Sequence, residues 1–123
     1  MSSTFLSLSR MVDEWRIWKG LLDGGDLAGA KGEPEGGVAD DWWNPKWVPL
    51  TYSGSGDHHC LDLAPAPDGE VGQIILVYHD VPTRQVVARS FGAWLEALAD
   101  DLEAGRYVYD EDRYHGLVNK EEL

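Results

Sequence analysis

Residues 51–63 read TYSGSGDHHCLDL, placing two adjacent histidines, the chain's lone cysteine and two aspartates behind a glycine-serine run. Three chemistries use such residues: phosphate cradling, metal ligation and a Cys-His nucleophile. A phosphate loop needs free backbone N–H groups that lead into a helix N-terminus, usually with a lysine, whereas a strand pattern follows here. A nucleophile elbow is excluded as well, because Ser53 stands where its first glycine belongs and no helix follows. Residues 53–56 therefore read as a hairpin connection.

Metal ligation fails on distance. Alternate residues of a strand share a face, so His58, Cys60 and Asp62 point one way and His59, Leu61 and Leu63 the other. At ~3.3 Å per residue, His58 and Cys60 are about 6.6 Å apart along the backbone, while His58 and Asp62 are about 13 Å apart. Two convergent ligands do not make a zinc site, and His79 or His115 would have to complete it. A nucleophilic thiol needs a base at hydrogen-bond distance and an electropositive setting, but Cys60 lies mid-strand in an acidic chain. The pairs Asp40-Asp41 and Asp100-Asp101 are adjacent in sequence, so their carboxylates diverge rather than flank a substrate. A small metal-dependent hydrolase using His58, Cys60 and His79 is kept as the enzymatic alternative. The main expectation is no catalytic residue, no metal and no cofactor.

The elements that position these residues follow from periodicity. Leu8, Met11, Trp15, Trp18 and Leu22 fall on one stripe of a helix that Ser7 or Ser9 can cap and Gly24-Gly25 can end. Residues 23–41 hold six Gly, six acids and a single Lys. They are expected to form a flexible acidic loop with almost nothing apolar to bury. Pro45 and Pro49 hold residues 47–52 extended as a strand near a sheet edge. Residues 58–63 form the next strand. Ile74 to Val77 are apolar without a break, which requires both faces covered and marks a central strand. RQVVARS supplies a fourth strand, and residues 107–109 a possible fifth. Ser90 caps a helix whose Phe91, Trp94, Leu95, Leu98 and Leu102 repeat at helical spacing up to Gly105. The fold class expected is α+β: a largely antiparallel sheet of four or five strands, packed with an N-terminal and a C-terminal helix.

At 123 residues the chain is expected to be one domain. Ten Lys and Arg against 22 Asp and Glu leave a net charge of −12. Contact with a phosphate backbone or an anionic membrane is then electrostatically costly, so neither is expected, whereas a basic protein would be steered toward the chain. A single cysteine excludes an intrachain disulfide, and the N-terminus lacks the pattern of a signal peptide, so a cytoplasmic address is expected. Asp40, Asp41, Trp42 and Trp43 combine charge with anchor-type aromatics and are the leading partner-contact candidates, with Asp57 and His58 beside them. Each Trp either anchors a partner or packs under the loop. On the first reading, changing Asp40, Asp41, Trp42 and Trp43 together to Ala leaves the fold intact.

With those elements placed, residues 42–107 resemble the SUKH superfamily, which includes fungal cell-wall-assembly regulators and bacterial toxin-immunity proteins. WNPKWVPL, SGSGDHHCLDLAPAPDGEVGQII, VYHD and RSFGAWLEALADDLEAGRY carry the resemblance. Trp47, Pro49, Gly56, Asp57, Cys60, Leu61, Asp62, Gly72, Gln73, Phe91, Trp94 and Leu95 match the family pattern residue by residue. The resemblance implies that most of these are structural, with Cys60 in the core. It also implies a binding module without catalytic residues, most often in bacteria an immunity protein that occludes a cognate toxin, here a basic one. A regulatory scaffold like the fungal members is the alternative. Family members usually begin with a further helical segment that this chain lacks, so a second copy of the chain is expected as a possible cover.

Overall fold

The computed structural model describes residues 3–110 and 116–119. In chain order the elements are β1 (Thr4–Phe5), α1 (Leu8–Asp23), β2 (Glu33–Pro34), β3 (Trp47–Pro49), β4 (Thr51–Tyr52) and β5 (His58–Asp62). They continue with β6 (Gln73–Val77), β7 (Thr83–Ala88), α2 (Phe91–Glu103), β8 (Tyr107–Asp110) and β9 (Gly116–Asn119). This is the α+β class expected. Five strands form one sheet in the order β2-β7-β6-β5-β3; β2 runs parallel to β7 and the other three pairings are antiparallel. Two small antiparallel pairs, β1 with β4 and β8 with β9, form separate sheets.

The unbroken apolar run places β6 at the middle of the sheet, where all five of its residues are buried. Pro49 is tolerated because β3 is an edge strand. The expected strand over residues 47–52 is split at Leu50, whose N–H still bonds the His59 carbonyl at 2.8 Å while β4 leaves to pair with β1. In register, Trp47, Pro49, His58, Cys60, Asp62, Ile75 and Val77 share one face, and Val48, His59, Leu61, Ile74 and Leu76 the other. The first face is closed by α1, whose Trp18 joins Val38, Trp43, Trp47, Cys60, Ile75 and Val77 in one core. The second is covered by α2, whose Trp94 ring lies 5.4 Å from His59. Phe91 and Leu95 stay 44% and 41% exposed, so α2 covers its face only in part.

Both helices end as their sequences dictate. Ser7 Oγ accepts from the Arg10 N–H and Ser90 Oγ from the Ala93 N–H. At the far ends, Gly25 and Gly105 take φ of 82° and 72°, a left-handed turn that glycine makes without a Cβ clash. The stripe predicted for α1 is narrower in fact: Trp18 is buried, but Leu8 is 80% exposed, because only the middle turns meet the sheet.

Segment 23–41, expected to have almost nothing apolar to bury, buries Val38 and is tied to the sheet by backbone bonds. It lays β2 along β7, with the Glu33 N–H bonding the Pro82 carbonyl at 2.8 Å and the Glu35 N–H the Arg84 carbonyl at 2.8 Å. Val38 enters the core at 3% exposure. The Gly37 carbonyl accepts 2.8 Å from Gln73 Nε2, which also donates 2.9 Å to the fully buried Asp62. One valine and a row of backbone groups are enough to seat a charged segment on a sheet edge.

Candidate functional site

An open groove of about 310 Å³ runs between α1 and the tip of the β4–β5 hairpin. Ile17, Trp18 and Leu21 form its α1 wall, Trp42 and Leu27 the next side, and Tyr52, Gly56 and His79 the hairpin side. Helical spacing explains the first wall. Trp18 is drawn into the core and stacks on Trp43 at 6.0 Å with planes 7° apart, while Ile17 and Leu21 are left 60% and 38% exposed at the opening. Trp15 Nε1 donates 2.8 Å to the Pro45 carbonyl and fixes the helix to the 42–47 segment.

Trp42 is placed by Arg84. This fully buried arginine donates from Nε and Nη2 to the Trp42 carbonyl at 3.2 and 2.7 Å, and from Nη1 to the carbonyls of Val81 and Thr83 at 2.7 and 2.8 Å. Its guanidinium also lies 5.1 Å from the centre of the Trp42 ring. Burial pulls its pKa down to about 10.

A second polar unit borders the groove. Asp57 Oδ1 accepts from both the backbone N–H and Nδ1 of His79, at 2.9 and 2.8 Å, and Asp80 stands 3.9 Å from the same imidazole nitrogen. Gly56 adopts φ 102°, and a Cβ there would lie 3.1 Å from the His79 ring, so the hairpin tip needs glycine to admit it. Asp57, His79 and Asp80 have ligand atoms within 4.8 Å of one another, but the His79 imidazole is already bonded to Asp57. The Asp57 bond holds His79 above its ordinary value of 6.5. Burial pushes Asp57 up, yet the His79 bonds and charge outweigh it and leave the carboxyl below 3.8.

These shifts fix signs for pH dependence. His79, with its folded pKa raised, contributes stability fully below 6.5 and loses it as pH rises through the folded value. Asp57, with its pKa lowered, contributes above 3.8 and loses it as pH falls through the folded value. His59 behaves oppositely to His79: burial drops its pKa to about 4, so its effect is to remove stability as pH falls from 6.5 toward 4. NMR titration is expected to give His79 a midpoint above 6.5 and His59 one near 4. The substitution Asp57→Asn is expected to lower only the first. A His79 midpoint indifferent to that change would contradict the pairing.

The contact candidates from the sequence are dispersed. Asp40 is exposed, Asp41 half-buried with its carboxylate accepting 3.0 Å from Asn44 Nδ2, and Trp42 half-buried in the groove wall. Trp43 is a correction, since at 4% exposure it sits in the core; His58 is 2% exposed but is among the residues that line the groove. The His58 Nδ1 bonds the Thr51 carbonyl at 2.7 Å, and its neighbours on the same strand face are covered by α1. Asp57 is half-buried and engaged with His79. Of the enzymatic trio, His58 and His79 both line the groove but are bonded to the Thr51 carbonyl and to Asp57, while Cys60 is buried and does not line it. Burial pushes the Cys60 thiol far up, which suits an inert core residue. Asp62 is held by Gln73 Nε2 and by the Ala64 N–H at 2.9 Å.

Two residues of the site, Glu14 and Arg84, and one pairing were missed in the sequence. Glu14 is 6% exposed and lines the groove; the signal was legible, because it lies three and four residues from Met11 and Trp18 on the apolar stripe. Arg84 looked like an ordinary strand charge. The partnership of His79 with Asp57 spans 22 positions and leaves no local trace.

Comparison with known proteins places this geometry. A sequence model of a family described as SMI1 / KNR4 family (SUKH-1) matches residues 2–97. The chain is 32% identical over 121 residues to a cell wall biosynthesis/cell cycle regulator of Schizosaccharomyces pombe, covering 89% of this chain and 24% of that protein. It is 40% identical over 86 residues to a cell wall assembly regulator of Saccharomyces cerevisiae, covering 68% and 17%. A glucan synthesis regulatory protein of Neurospora crassa is 42% identical over 79 residues, covering 64% and 15%. The chain thus spans a quarter or less of the length of these relatives.

Proposed function

The chain belongs to the SMI1/KNR4 family (SUKH-1), and on that premise we propose that it is a protein-binding regulatory domain without catalytic chemistry of its own, related to the regulators of fungal cell-wall assembly. Its relatives are named as regulators, which favours this reading over the toxin-immunity reading that the sequence suggested. The observation that carries it is the groove: the exposed Ile17 and Leu21 and the half-buried Leu27, Trp42 and Tyr52 line a concave surface, while Cys60 and Asp62 are buried in the sheet. Exposed apolar side chains grouped in a concavity mark a site where a partner is bound.

The test is photo-crosslinking in a lysate of the source cells, with a benzophenone amino acid placed either at Ile17 in the groove or at Leu95 on the opposite face. Discrete protein adducts are expected from position 17, suppressed by excess unlabelled domain and by Leu21→Glu. Adducts from position 95 alone would move the interface, and none from either would remove the binding reading. A captured adduct that is an endogenous regulatory or wall-synthesis protein supports the regulatory class; a secreted toxin would restore the immunity reading.

A further inference from the structure

The groove holds a charged group that its apolar walls do not explain. The Glu14 side chain is only 9% exposed, and it lies on the stripe of α1 that faces the sheet. Its Oε1 accepts 3.1 Å from Arg10 Nη2, whose own side chain is half exposed at 50%. Among the described residues, no donor bonds Oε2. A carboxylate can accept about four hydrogen bonds, so part of this capacity is available on the open side of the groove.

We propose that the groove binds a basic segment of the partner, in which an aliphatic or aromatic side chain packs against Ile17 and Leu21 while an arginine or lysine reaches Glu14. The proposal rests on the protein-binding reading above and adds the chemistry of what is bound. Three observations converge on it. Glu14 offers an unfilled acceptor inside the groove. Tyr52 and Trp42, both half-buried, line the groove together with Glu14, and aromatic rings attract a guanidinium lying across them. Arg10 is the one cation on the Glu14 carboxylate among the described residues, and it occupies Oε1 alone; His79, even protonated, stands between Asp57 and Asp80, and Lys19 is paired with Asp23. The net charge of −12 adds long-range attraction in the same sense.

The probe is a phage library of short random peptides, selected on the wild-type domain and depleted on Ile17→Glu. Binders are expected to combine an apolar residue with arginine or lysine. For the tightest of them, replacing the basic residue by citrulline, which has the shape of arginine without its charge, is expected to weaken binding about tenfold, as loss of one charge-assisted hydrogen bond predicts. On Glu14→Gln the same replacement should change affinity less than about twofold, because the charged acceptor is gone. The citrulline comparison on the wild-type domain needs no variant to fold. Binders that are uncharged or acidic, citrulline peptides that bind as well as their parents, or no binder sensitive to Ile17→Glu would each overturn the proposal. Crosslinks from position 17 could still be found in those cases, which separates this failure from failure of the protein-binding reading.

Discussion

The substitution Trp43→Ala is expected to destabilise the domain by about 3–5 kcal/mol, the cost of emptying a packed aromatic site. Trp43 is 4% exposed, stacks on Trp18 and lies 6.1 Å from Trp15, so its indole is what joins α1 to the sheet. In a urea titration the midpoint should fall by roughly 2 M, given the usual slope for a domain of this size. Trp42→Ala is expected to cost only about 1 kcal/mol, since its ring is half-buried and its main loss is the contact with the Arg84 guanidinium. Changing Asp40, Asp41, Trp42 and Trp43 together would therefore unfold much of the population, and weakened binding by that variant would say nothing about a contact surface. A midpoint for Trp43→Ala within experimental error of wild type would contradict the placement of this side chain in the core.

The contrast between these neighbours shows where sequence reading stops. Local signals served for several elements: the apolar run Ile74 to Val77 marked the central strand, Ser90 and Gly105 the ends of α2, and the glycine-serine run the hairpin. Trp42 and Trp43 sit in an irregular connection, where no period assigns one ring to the groove and the other to the core. His58 and His59 do lie on a strand, and alternation predicted their opposite faces; which face would be covered by α1 was not local information. Segment 23–41 was read by composition, which registers its six acids but not that Val38 and a few backbone groups bind it to β7 and Gln73. Glu14 and Arg84 were passed over because charged side chains are usually solvated. Their burial is a property of the assembled fold, and it is those two that shape the groove.

Replacing Arg84 by Met tests that last statement, with an expected loss of about 2–4 kcal/mol. Met fills similar volume and removes the cost of burying a cation, so the loss comes from leaving the carbonyls of Trp42, Val81 and Thr83 without donors. Arg84→Lys should rescue only part of it, because one ammonium lacks the planar fork that spans carbonyls of two separate segments. Stability alone would not distinguish a staple from any other core residue, so the informative readout is amide exchange. If Arg84 holds the Trp42 segment onto β7, exchange should accelerate at Gly32, whose N–H bonds the Asp40 carbonyl, and at Glu33, whose N–H bonds the Pro82 carbonyl. Amides of β5 should keep their protection relative to global unfolding, since β5 pairs with β3 and β6 and not with β7, the strand that carries Arg84. Uniform acceleration across the sheet would make Arg84 a general core residue and detach it from the groove. Acceleration confined to residues 32–43 would show that one buried cation, bound almost wholly to carbonyl oxygens, sets the position of the groove's Trp42 wall.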